Sequence, residues 1–571
     1  LGTLSTLGFN KNGYVFTLYG RYDNNSVTQL KDYYTQNINT GGQDVKITQD
    51  NYTINDEKTE FQITDNKTGR KDLKFTGGGN IIFESSLDQG NGGLIFGENE
   101  KYNISGENTT FRGAGIDIGK DSTVDWNIKY ASNDNLHKIG EGVLDVKQTQ
   151  NTNLKTGNGT VILSAEKAFN NIYIASGNGT VKLNHTNALA GGDYNGIYFT
   201  KNGGTLDLNG YDQTFGKIAA TDSGTTITNT NNENSSTLKI TATDNYIYHG
   251  NIDGNINLDH EDTRKDKSQL IMDGDIDIND INIKNANVTF QGHATDHAVF
   301  REGGVKCIIP GVQIPDLCDN DYVAEIQQLE KQINEEKGTQ YKTNNQISSF
   351  DQPDWDTRTF KFRTLNLDNT AFSVGRNASV EGDIIASNSD ITIGDATAYI
   401  DTYSGKNITG TGFGFRQSVS QGTSSGESYF SGQIISTGGS VKVGDKATVT
   451  LSKPSSLDGT DLTIEKGGVM TALGGLFTSK EVKIGGTMNL TGTPDQNGVW
   501  SSAIYLGYGG YNLSEDGAEF TAKNQASVTA DITSEKSATI SLGQNDNSTN
   551  QSNDAFTLAS LNGFDTSLTG K

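Results

Sequence analysis

Apolar and polar residues alternate with a period of two through most of this chain, and glycine closes each burst. Ile116-Asp117-Ile118-Gly119 is one copy; Phe372-Ser373-Val374-Gly375, Ile391-Thr392-Ile393-Gly394, Val441-Lys442-Val443-Gly444 and Val482-Lys483-Ile484-Gly485 are others. Neighbouring copies are 19 residues apart (372 to 391), 21 apart (441 to 462) and 20 apart (462 to 482), and Gly157-Asn158-Gly159-Thr160-Val161 returns 20 residues later at Gly177–Val181. A period of two puts Ile391 and Ile393 on one face and Thr392 on the other, which predicts strands; the glycine breaks leave no room for helices of three turns. A repeat of about 20 residues cannot bury its own apolar face and needs the copies above and below it. Leucine-rich repeats share the length but require a dense Leu-x-x-Leu-x-Leu ladder that this sequence lacks. The expectation is an all-β, single-stranded parallel β-helix solenoid, with rungs stacked at about 4.8 Å into a rod on the order of 100 Å long.

One stretch breaks the pattern. From about residue 300 to 352 the alternation stops, and Tyr322, Ile326, Leu329 and Ile333 recur at helical spacings, with Asp319 or Asn320 before them and Gly338 after. This predicts an amphipathic helix over 321–338 whose apolar stripe packs on the β-helix. Cys307 and Cys318, the only two cysteines, lie in the same stretch with Pro310 and Pro315 between them. In an oxidising compartment they close a small disulfide loop worth about 2–3 kcal/mol by the chain-entropy model; otherwise they are two free thiols. No further residues stand at zinc-ligand spacing. The insert at 300–352 separates repeats at 23–299 from repeats at 353–571.

Composition fits a thin coil better than a globule. Only 33% of residues are hydrophobic, and Gly reaches 69 of 571, whereas one narrow interior column needs few core formers per turn. The 23 Phe and 22 Tyr, set in repeating alternation, argue against disorder. A net charge of −24 without a Lys/Arg cluster makes nucleic acid an unexpected partner and keeps a long exposed strand stack soluble as a monomer. No run of 18 apolar residues is present to span a membrane. With neither an initiator Met nor a signal peptide before Leu1, the sequence reads as an internal piece of something longer.

Candidate chemistry is sparse. Asp273, Asp275 and Asp277 alternate with Ile276 and Ile278, which places them on the outward side of a strand rather than in a sugar-cleaving or calcium-binding cluster. His293 and His297, with Asp296, fit one helical turn but lack the Glu of His-Glu-x-x-His, so the six histidines are expected at the surface or in turns. Gly-x-Ser-x-Gly occurs once, at Gly422–Gly426, without the buried strand and following helix of a nucleophile elbow; Ser424 is expected in a loop joining two rungs. Tyr505, Tyr508 and Tyr511 are the best candidates for an exposed aromatic ladder, as an adhesin would use on a glycan or host protein; packing over a loop is the alternative. A polysaccharide-degrading β-helix would instead need carboxylates converging from successive rungs. No catalytic residue, cofactor or metal site is expected within the chain.

Longer phrases carry a resemblance. Asp134–Val146, Leu154–Leu163, Ala165–Asn170, Phe199–Gly210, Thr214–Asp222, Tyr248–Ile252, Gln291–Thr295 and Gln352–Trp355 resemble the passenger stalk of the serine protease autotransporters of Enterobacteriaceae. The resemblance implies a right-handed β-helix, an upstream chymotrypsin-like protease domain and a downstream β-barrel in the outer membrane. Leu1–Ser5 and Tyr14–Tyr19 resemble the last strands of that protease domain, so 1–22 is assigned to it, and its catalytic serine would precede Leu1. The implied partners are host protein substrates of the protease and the barrel of the same precursor. The implied location is outside the cell, reached through the periplasm and outer membrane. Repeats that fold in succession as they emerge would favour outward movement.

Overall fold

The computed structural model describes residues 35–63, 69–174, 178–191, 196–199, 203–220, 224–241, 245–262, 268–294, 331, 335, 355–403, 417–424, 426–534, 536–544, 560–563 and 566–570. The chain divides into two units. One comprises Leu1–Ala242, His249–Asn257 and Thr411–Phe413, the other Thr243–Tyr248, Leu258–Gly410 and Gly414–Lys571.

The first unit is a parallel β-solenoid. One interior column reads Val124, Leu144, Val161, Val181, Leu206, Ile227 and Ile252, paired rung to rung in parallel register and wholly excluded from solvent. Strand Thr123–Tyr130 shows how alternation produces this: Val124, Trp126, Ile128 and Tyr130 point inward, and Asp125, Asn127 and Lys129 face out. Each fully buried Val, Leu or Ile contributes about 1.5–3 kcal/mol. No rung buries its residues without its neighbours. At the start of this unit Val45–Ile47, Asn51–Ile54 and Glu57–Glu60 pair antiparallel, and the last of these carries Glu57, Lys58 and Glu60, exposed. Among the described residues this strand is an edge, and charge on an edge discourages pairing with another chain.

The second unit repeats the architecture. Val288, Phe372, Ile391, Val441, Leu462, Val482 and Tyr511 form its interior column in parallel register. The spacings of 19, 21 and 20 read from the sequence are therefore true rung steps. One corner of the coil is a stack of left-handed backbone positions, with Asn285, Asn369, Asn388, Gly438 and Gly459 at φ values of 51°, 47°, 46°, 73° and 61°. Asn and Gly adopt this conformation most readily. The amides of Asn285, Asn369, Asn388 and Gly438 donate to carbonyls of the next rung, which ties each corner to the one above it.

Among the described residues three antiparallel pairs depart from the coil in the second unit, one being Thr493–Pro494 with Trp500–Ser501. His293–Ala294 pairs antiparallel with Trp355–Asp356 where the insert begins and ends, and Thr397–Tyr403 forms an antiparallel hairpin with Gln417–Thr423 between the rungs of Ile391 and Val441. Cys307, Cys318 and the expected helix lie outside the described residues, apart from Lys331 and Glu335. His297 and the segment 1–22 lie outside them as well.

Candidate functional site

Strand residues of a solenoid that face away from the core are normally solvated. In the second unit three neighbouring ones are not. Ile247, Ile271 and Thr289 stack rung on rung and are 0%, 0% and 2% exposed. Their strands accordingly read as continuous apolar runs, Tyr246-Ile247-Tyr248 and Leu270-Ile271-Met272, as parallel strands covered on both faces do. The hairpin Thr397–Tyr403/Gln417–Thr423 lies against strand Tyr246–Tyr248. Four rung steps separate that strand from Asp390–Asp395, which launches the hairpin, about 19 Å at about 4.8 Å per step. The hairpin therefore runs back across the outside of the coil.

Specific contacts hold it there. Gln291, 1% exposed, donates from Nε2 to the Tyr399 carbonyl at 2.7 Å and accepts from the Tyr399 amide at 3.0 Å, so its side chain acts as one more strand residue. Arg376, also buried, donates from Nη1 to the Gly426 carbonyl at 2.7 Å just past the hairpin. The Ser424 amide closes the hairpin base on Ala396 O at 2.7 Å. Ala294, Ala398 and Ile400 bury together against Trp355, a small apolar cluster shared by the hairpin and the pair His293–Ala294/Trp355–Asp356.

Beside this cluster, His293 Nδ1 lies 3.1 Å from Asp273 Oδ2, and Arg358 Nε donates to the Asp273 carbonyl at 2.8 Å. Asp273 is buried, which corrects its assignment to the outward side of a strand; Asp275 and Asp277 do face out, and Asp275 accepts from the Thr359 amide at 2.8 Å. The reason is that strand Ile276–Asp277 begins only after Asp273, so alternation does not extend back to it. His293 sits on a short strand rather than a helical turn. His137, His249 and His260 are buried, not at the surface. Desolvation, then the charge of Lys155, pushes the His137 imidazole down to about 3. Ser424 lies between strand Gln417–Thr423 and strand Ser428–Gly432, in a strand–turn–strand setting rather than an elbow before a helix.

The tyrosines divide. Tyr505 and Tyr511 are fully buried, and Tyr508 is 70% exposed. An irregularity between Gly507 and Tyr511 in strand Ala503–Leu513 resets the alternation, returning Tyr511 to the interior column above Val482. Tyr505 donates its hydroxyl to the Ala472 carbonyl at 2.7 Å and sits in the core above Leu476. A three-tyrosine exposed ladder is therefore not formed.

One polar site in the first unit escaped the sequence reading. Lys138 occupies an inward position between Ile116 and Thr156 with no solvent exposure. Its Nζ donates to the carbonyls of Gly140, Gly142 and Asn158 at 2.7, 2.6 and 2.7 Å. Burial pushes the amine down to about 7, with the charge of Asp117 acting in the opposite sense. A Cβ on Gly159 would stand 2.3 Å from this nitrogen, so glycine there makes room for the turn to close over it. The available signal was Lys138 two positions after Leu136, at an inward place of the alternation, with Gly140 and Gly142 close behind it. These arrangements hold backbone in place; they are anchoring chemistry.

Relatives show where such a coil belongs. Residues 254–466 match the family described as the PIC/HAP1/IgA0 second beta-solenoid repeat region. The chain is 54% identical over 555 residues to the serine protease Pet autotransporter of Escherichia coli strain 042, a match spanning 96% of this chain and 42% of that protein. It is 49% identical over 568 residues to the serine protease EspP of Escherichia coli, across 98% of this chain and 43% of that protein. The chain is part of a serine protease autotransporter passenger. Its fold matches the crystal structure of the passenger domain of Plasmid encoded toxin, an autotransporter enterotoxin from enteroaggregative Escherichia coli, with a TM-score of 0.79 at 52% identity over 96% of this chain and 58% of that one. The Haemophilus influenzae Hap adhesin shares the fold at 21% identity and a TM-score of 0.64. This autotransporter segment spans less than half the length of these curated relatives. As a piece of such a passenger, it belongs to a protein exported through the outer membrane to the cell surface or medium.

Proposed function

We propose that this β-helix is the stalk that carries a serine protease domain away from the bacterial surface, and that the complete protein is a secreted toxin cleaving host proteins. In that reading 1–22 ends the protease domain, 23–299 and 353–571 are stalk, and 300–352 is an insert carrying the Cys307–Cys318 disulfide. The observation that supports it best is the match to the Pet autotransporter along 96% of the chain, joined to buried interior columns that stack rung on rung. The barrel of the same precursor would be its partner during export, and host proteins its substrates through the protease domain. Cleavage of a casein and spectrin panel by the full passenger, with and without a serine-directed inhibitor, tests the proposal. Inhibitor-sensitive cleavage by the full passenger, and none by residues 1–571 alone, is the expected result. Inhibitor-insensitive cleavage, or none by the full passenger, would refute it.

An adhesive role is a second reading, favoured by two exposed apolar sites. Ile385 and Ile435 are neighbours on the outside of the coil and partly exposed, and further along Tyr508 packs edge-on against Phe477. Loss of host-cell binding in a Tyr508→Ser, Ile435→Ser variant with normal proteolysis would support adhesion; unchanged binding would remove it.

A further inference from the structure

We propose that the hairpin Thr397–Tyr403/Gln417–Thr423 is a releasable strap, latched by the Gln291 side chain, that opens as one unit without unfolding the solenoid beneath it. Three features carry this. The rungs are complete without the hairpin, since the ladder from Val288 through Phe372 and Ile391 to Val441 runs in parallel register underneath it. Among the described residues the strap's apolar contacts are the cluster of Ala294, Ala398 and Ile400 against Trp355 and the outer side of strand Tyr246–Tyr248, a single layer laid on one face rather than the closed interior column that holds each rung. Polar contacts do much of the fastening, and the two bonds of Gln291 to Tyr399 are central among them because one buried amide satisfies both the donor and the acceptor of a strap residue. A segment held by few apolar contacts opens at lower free energy than the core it covers.

What opening would uncover is specific. Ile247 and Ile271 point outward yet are fully buried, and the hairpin rests on the strand that carries Ile247. With the strap released, an apolar column on the outside of the coil meets solvent. The strap therefore keeps covered a patch that alternation alone would have made polar.

Amide hydrogen exchange on the full chain tests the proposal, with Gln291→Leu and Ile400→Asp as variants. The decisive amides are those of 419–422, on the returning strand that Gln291 does not touch, and of Ile391, Ile393 and Val441 in the rungs below. Both variants are expected to exchange at least tenfold faster at 419–422 while the three rung amides keep wild-type rates. Faster exchange confined to Tyr399 would overturn the single-unit strap. Faster exchange that spreads to Ile391, Ile393 and Val441 would overturn its independence from the solenoid, and wild-type rates throughout would overturn the latch.

Discussion

Replacing Lys138 by Met keeps the length and packing of the side chain and removes only the amine. Gly142 O retains a bond from the Thr160 amide at 3.2 Å, but Gly140 O and Asn158 O lose the donor that reaches them at 2.7 Å. Both of these bonds are part-buried, so each carbonyl left without its donor costs toward the low end of about 1–3 kcal/mol. Together they set the loss at about 2–4 kcal/mol, offset in part because an amine no longer has to be dehydrated. A net destabilisation of about 1–3 kcal/mol near neutral pH follows. The pH dependence has a definite sign. Burial lowers the folded amine to about 7, below its ordinary value of 10.5, so between these values the unfolded chain holds the proton more tightly. Stability contributed by this group therefore rises as pH increases through the window, by at most about 1.4 kcal/mol per pH unit. Methionine lacks that term, so the deficit of Lys138→Met should widen from pH 7 to pH 9. Guanidinium unfolding of both proteins at pH 6, 7.5 and 9, followed by circular dichroism, measures the difference and cancels groups common to both. A variant as stable as wild type at pH 7.5 would refute the carbonyl cage as a fastening. A deficit constant from pH 6 to 9 would refute the lowered amine.

Glycine, core and surface positions give three more expectations. Gly486→Ala should lower stability by about 2–4 kcal/mol, because the new Cβ would stand 2.2 Å from Gly468 O, a backbone atom of the rung below; Gly517→Ala, in open space at φ +85°, should cost only about 1 kcal/mol, and thermal unfolding ranks the two. Tyr505→Ala should cost about 3–5 kcal/mol, whereas Tyr508→Ala, at an exposed site, should stay within about 1 kcal/mol; comparable losses in a denaturant titration would contradict the resetting of strand alternation between them. If successive folding of rungs favours export, Ile484→Asp, on a fully buried side chain, should lower the amount of passenger in the medium well below that of Lys483→Asp, on the exposed side of the same strand; equal secretion would sink that idea.

Strand character, rung length and register were determined by the sequence itself, because each depends on neighbours a fixed distance along the chain. Alternation sets which side chains point inward, and a step of about 20 residues sets which one stacks on which, so Phe372 over Ile391 and Leu462 over Val482 could be paired from the repeat alone. Exceptions required tertiary structure. Tyr511 is interior because an irregularity after Gly507 shifts the count, and Asp273 is buried because its strand starts later than the pattern implies. Ile247 is covered by a hairpin about 150 residues further along, and Gln291 meets Tyr399 across 108 residues. Lys138 finds carbonyls from its own rung and the next one. Local periodicity records what a residue does relative to its own strand. Burial by a remote segment and the convergence of backbone carbonyls on one amine depend on distances in space, which exist only once the coil has closed.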